Sequence, residues 1–85
     1  MDSLTLRALI RTKLADGRLP TETMPRVWGG PGKGERCDAC EKIITSKELI
    51  MEGLPAGGAH SLVQLHVECF YIWDTERRML PPAGG

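Results

Sequence analysis

The chain has 85 residues, 11 Lys+Arg against 11 Asp+Glu, and four aromatic side chains. That is one small domain with a marginal core: a fold of this size removes only ~60–65% of its unfolded surface from water, so it needs a staple. No apolar run approaches the ~20 residues that span a bilayer, Asp2 and the charges that follow it are wrong for a signal peptide, and three cysteines cannot all pair within one chain, which argues against a disulfide framework and for a cytoplasmic, reducing setting.

Residues 3–16 read as a helix. Asp2 or Ser3 can cap it, because either side-chain oxygen accepts from the free N–H groups of a first turn. Leu6, Leu9, Ile10 and Leu14 form one apolar stripe, Arg7 and Arg11 share another face, and Gly17 suits the left-handed residue that stops a helix. Residues 20–36 carry Pro20, Pro25, Pro31 and four glycines, so the expectation is an irregular connecting segment, with Trp28 pinning the loop to the core. Gly29–Gly34 with Lys33 is not a phosphate-binding loop: Gly34 and Glu35 follow the lysine in place of Ser/Thr, and no strand is expected before it.

Beyond residue 40, Ile43-Ile44 reads as a short strand. Glu48–Leu54 reads as a second, with Leu49 and Met51 alternating against Glu48 and Ile50, and Ser61–Leu65 as a third; the last two make a hairpin. From Val67 to about Leu80 the period becomes helical. Phe70 and Trp73 face one way, into a core expected to include Leu49, Met51 and Leu65, and Pro81-Pro82 stops the segment. The boundaries are therefore 1–19 for the amino-terminal helix, 20–36 for the connection, 37–80 for a compact module and 81–85 for a disordered tail.

The chemistry lies in Cys37-x2-Cys40 and His66-x2-Cys69, separated by 25 residues. A two-residue gap lets two thiolates of one turn meet one ion, and zinc takes four such ligands tetrahedrally. His66 and Cys69, three apart at a helix start, project from one face. Cys37, Cys40, His66 and Cys69 therefore form a candidate site for one structural Zn2+. A knuckle, a hairpin and a helix that donates two ligands make an α+β, treble-clef-like finger, here with an extra amino-terminal helix. Asp38, Glu41 and Glu68 are candidate acceptors for the His66 ring N–H, and His60, six residues before His66, reads as a loop-end residue. Four good ligands leave no open position for a reacting water, so no catalytic residue is assigned and an enzyme is not expected.

The spacing resembles the first finger of LIM domains, where His-x2-Cys-Phe also occurs, as in His66–Phe70; the second LIM finger is absent. Gly17–Pro20, Trp28-Gly29-Gly30, Cys37–Cys40, Ile43–Thr45, His66-x2-Cys69-Phe70, Trp73 and Glu76-Arg77 together resemble a family of small bacterial zinc-finger proteins. That resemblance implies zinc and no particular activity.

Residues 1–36 carry seven basic and four acidic side chains, and residues 37–85 four and seven. A basic arm is thus joined to an acidic module. The expected function is a cytoplasmic, zinc-stabilised adaptor or regulator that binds another protein. The alternative is a nucleic-acid-binding finger using Arg7, Arg11, Arg18, Arg26, Lys33 and Arg36, with Arg77 and Arg78 as a second basic spot; a zinc-masked redox switch is the minor alternative. No membrane role is expected.

Overall fold

The computed structural model describes residues 1–56 and 61–80. Helix α1 (Ser3–Ala15) is followed by β1 (Arg26–Pro31), β2 (Glu35–Arg36), β3 (Ile43–Ile44), β4 (Leu49–Leu54), β5 (Val63–His66) and α2 (Val67–Arg78). The class is α+β, with knuckle, hairpin and helix in treble-clef order. No helix among the described residues is long and apolar enough to cross a membrane.

Asp2 caps α1, its Oδ1 accepting from the Thr5 amide at 2.8 Å. This bond also holds the Asp2 carboxyl below the usual range. The helix ends where Gly17 turns left-handed (φ +83°), and the Leu19 amide bonds back to the Lys13 carbonyl. Leu6, Ile10 and Leu14 are buried as the stripe requires, with Leu9 at its half-buried margin. They join Leu19, Met24, Ile44, Ile50, Val63, Leu65 and Trp73 in one core. Full burial of each such aliphatic side chain contributes ~1.5–3 kcal/mol before ordering costs. Lys13 shares the buried face at 3% exposure.

The main sheet has the order β1-β4-β5, antiparallel throughout, and β2 pairs with β3 in a separate ribbon around the knuckle. Residues 20–36 are therefore not irregular throughout: a strand precedes residues 32–34, and only 20–25 and 32–34 lie outside regular elements. Arg26–Pro31 pairs along its whole length with Leu49–Leu54. The prolines allow this because Pro31 sits opposite Leu49, and the ladder bond nearest it runs from Gly32 N to the Glu48 carbonyl. In an antiparallel ladder the bonded residues alternate, so the missing N–H of Pro31 falls on the unpaired edge. Gly32 is required for a different reason: a Cβ there would meet the Thr45 carbonyl oxygen at 2.2 Å. Trp28 does not pin anything to the core; it is 44% exposed, opposite Glu52 of β4.

Two further expectations change. In β4 burial does not follow the expected alternation: Leu49 is 62% exposed, whereas Ile50 is buried and Met51 is half-buried. Both faces of the strand are partly covered, because Met51 lies opposite buried Leu65 on one face and Ile50 opposite half-buried His66 on the other. In α2, Trp73 is 1% exposed and its indole N–H donates to the Pro20 carbonyl at 2.8 Å. Phe70 is only partly buried against the same core, its ring 5.6 Å from that of Trp73. The third strand begins at Val63 and runs to His66. His60, part of the Pro55–Ala59 loop and the 81–85 tail lie outside the described residues.

Candidate metal centre

The knuckle Cys37–Cys40 closes through short backbone bonds. Cys37 N donates to the Lys42 carbonyl and Glu41 N to the Cys37 carbonyl, each at 2.9 Å. Glu41 adopts φ +68° to complete the turn, a conformation that non-glycine residues take uncommonly. The hairpin β4–β5 returns the chain to His66, which stands at the N-cap of α2, and Cys69 follows in the first turn. Sequence spacing thus becomes proximity: the donor atoms of Cys37, Cys40, His66 and Cys69 all lie within 4.8 Å of one another.

The donor set fits zinc. Tetrahedral bonds of ~2.3 Å to sulfur and ~2.05 Å to nitrogen put neighbouring S and N donors about 3.5 Å apart. Cys40 Sγ and His66 Nδ1 are 3.4 Å apart. The sulfurs also demand a cation. The hydrogen bond from the Cys69 thiol pulls Cys37 down to about 4, while that same contact, with burial, drives Cys69 up, and burial raises Cys40. A divalent cation draws all three sulfurs into the thiolate form and offsets two of their three charges. The site suits one structural zinc, held by three thiolates and one imidazole, and this four-donor set leaves no position for water.

The histidine tautomer follows from the surroundings. Nδ1 faces Cys40, and Nε2 lies 3.4 Å from Glu48 Oε1. Glu48, rather than Asp38, Glu41 or Glu68, is the carboxylate facing the imidazole. The Thr45 amide fixes Glu48 at 2.9 Å and holds its carboxyl below the usual range. Eighteen residues separate Glu48 from His66, so only the strand register reveals the pairing. Asp38 instead receives the Gln64 amide on Oδ2, and its own amide donates to the Gln64 carbonyl, both at 2.8 Å.

Glu41 belongs to a different contact. Lys13 Nζ donates to Glu41 Oε2 and to the Asp38 carbonyl, each at 3.0 Å, and the Arg36 guanidinium lies on the other carboxylate oxygen. These cations, Lys13 first, lower the Glu41 carboxyl. Lys13 therefore bolts α1 to the metal knuckle. Its signal was present in the sequence, since position 13 falls on the Leu6–Ile10–Leu14 stripe where an apolar residue belongs.

Beside Cys40, His66 and Cys69 opens a cleft of about 490 Å3, flanked by Leu6, Ile43, Leu49, Lys42 and Glu68. Comparison with family models, with curated proteins and with solved structures gives no match.

Proposed function

We propose that this chain is a zinc-stabilised interaction module, a small adaptor or regulator whose partner is another protein, with no catalytic step of its own. The observation that carries this reading is where the basic residues go. Arg7 and Arg11 both lie on buried Glu76 of α2, Lys13 and Arg36 on Glu41, and Arg18 on Asp16. The basic arm thus neutralises the acidic module within one molecule. Of the six residues of the arm suited to tracking phosphates, only Arg26 and Lys33 have no carboxylate at ion-pair distance among the described residues. A nucleic-acid-binding finger needs those cations free, so the alternative loses most of its contacts.

Exposed apolar surface supports the protein-binding reading. Val27, Trp28, Ile43 and Leu49 are all exposed, and the last two border the cleft beside the metal centre. The closed donor set supports a structural role for the ion.

The test is a fluorescence titration of the zinc-loaded chain against duplex and single-stranded oligonucleotides at two salt concentrations, beside affinity capture with mass spectrometry. Oligonucleotide binding is expected only in the non-specific range of ~10⁻⁴–10⁻⁶ M. The Arg7→Ala/Arg11→Ala variant is expected to lose stability more than affinity. Tight, sequence-selective binding that this variant weakens would overturn the reading.

A further inference from the structure

The geometry points to the free edge of β1 as a strand-docking site for an extended, acid-flanked segment of a partner protein; this rests on the protein-binding reading above. The other edge of the sheet is already occupied. On β5, the Gln64 amide and carbonyl are both taken by Asp38. On β1, no strand pairs opposite β4 among the described residues.

Which groups β1 offers follows from its register. Gly32 N points to β4, so Gly30, Trp28 and Arg26 also point their N–H and C=O groups inward, and Val27 and Gly29 point theirs outward. Pro31 adds an outward carbonyl without a donor. The edge therefore presents donors at Val27 and Gly29 and acceptors at Val27, Gly29 and Pro31, in the spacing another backbone matches. A nucleotide chain has no such ladder. Above Gly30 nothing lies within 4 Å of where a Cβ would be. A side chain of the incoming strand opposite Gly30 has room there, on the face that carries the Trp28 indole.

Charge names the partner's chemistry. Among the described residues, four cations have no carboxylate at ion-pair distance: Arg26, Lys33, Lys42 and Lys47. Arg26 begins β1 and Lys33 lies two residues past its end. Lys47 precedes Glu48, whose carbonyl accepts the Gly32 amide. Each end of the edge thus carries an unpaired cation, Lys33 with the Glu35 carboxylate on its amide, and a strand with an acidic residue at each end complements them. A second copy does not: antiparallel self-pairing about Gly29, the central outward-facing residue, sets Arg26 opposite Gly32 of the other copy, beside its Lys33.

The experiment is selection from displayed random seven-residue peptides on the zinc-loaded full chain. The enriched peptides are then synthesised with fluorescein and titrated against wild type, Arg26→Glu/Lys33→Glu and Gly29→Pro. Gly29→Pro removes only an outward N–H, and its new Cβ meets the mobile Met51 sulfur at 3.3 Å. Enriched peptides are expected to carry acids at both ends of a β-prone centre, and each variant is expected to weaken them by about tenfold or more. The charge-reversal variant should keep its zinc and its thermal midpoint, so it serves even if Gly29→Pro folds poorly. Absence of enriched peptides, or peptides without acids, overturns the proposal. So does binding that survives both variants, which would place the partner on another face and leave the protein-binding reading standing. Sedimentation that shows a dimer lost in Gly29→Pro would give the edge to a second copy and also overturn it.

Discussion

At the β5 edge of the sheet, Asp38 supplies both a donor and an acceptor to Gln64, and the same knuckle carries two of the four metal-site residues. At the β1 edge, Val27 and Gly29 face outward with no strand opposite, beside an exposed Trp28. The two edges belong to one three-stranded sheet, yet one is sealed by the metal centre and the other by nothing among the described residues. The lesson is a division of labour. Stability is concentrated on the β5 side, where zinc, α2 and Lys13 converge, and changes on the β1 side should move recognition and leave the fold intact.

The largest expected effect breaks the sealed side. A structural zinc contributes ~10–16 kcal/mol of apparent binding free energy, comparable to or above the 5–15 kcal/mol that holds a typical domain together. Elemental analysis of protein purified without added metal should give one zinc per chain. Cys40→Ser, Cys69→Ser or chelation should abolish cooperative unfolding and collapse the NMR dispersion of residues 37–80. Retained native dispersion after chelation would show that the knuckle holds without its ion. Next in size is Trp73→Ala. This side chain is buried with Leu65 and Cys69 and donates to Pro20, and truncating a buried aromatic costs ~3–5 kcal/mol. Chemical denaturation should read that loss directly.

These two predictions rest on features visible in the sequence, and it is instructive why others were not. The metal quartet was legible because x2 spacings are local: a turn or a helix start brings each pair together whatever the rest of the chain does. The helix α1 was legible because Leu6, Ile10 and Leu14 repeat at its period. Strand β1 was not, because glycine and proline are evidence against a strand only on average. Pro31 is harmless where its missing donor faces an open edge, and that depends on β4, eighteen residues away. The burial of β4 was hidden for a similar reason, since Leu49, Ile50 and Met51 are all apolar and only their neighbours in the fold decide which of them is covered. Glu48 and Lys13 escaped because their partners are distant in sequence, and polar contacts across a fold carry no period.

Lys13 provides a sharper test of how the sealed side is built. Lys13→Met keeps the aliphatic stem in its buried slot and deletes the Nζ that bridges the Asp38 carbonyl and Glu41. Losing the bond to the Asp38 carbonyl, which is only part-buried, costs ~0.5–1.5 kcal/mol, and the half-exposed Glu41 adds little because water screens it. The variant should still bind one zinc but release it faster to a chelator, since the knuckle loses its tie to α1. Stopped-flow zinc transfer to a colorimetric chelator measures this. An unchanged release rate would mean that Lys13 supports the core and not the site.

The smallest expected effect lies on the open side. Trp28 is the largest exposed side chain on the sheet, and it lies on the open edge strand opposite Glu52. Its removal deletes no core volume; what it loses is strand propensity and its cross-strand neighbour Glu52, together worth at most ~1 kcal/mol. Trp28→Ala should therefore unfold within about that margin of wild type, well inside the loss expected for Trp73→Ala. The two indoles also separate spectroscopically. Trp28 should emit at a solvent-exposed wavelength and be quenched by acrylamide, and Trp73 should emit to the blue and resist quenching until the protein unfolds. In Trp28→Ala the remaining emission should then report global unfolding alone. If Trp28→Ala instead destabilised the chain as much as Trp73→Ala, the β1 edge would be part of the structural core, and the contrast between the two sides of the sheet would fail.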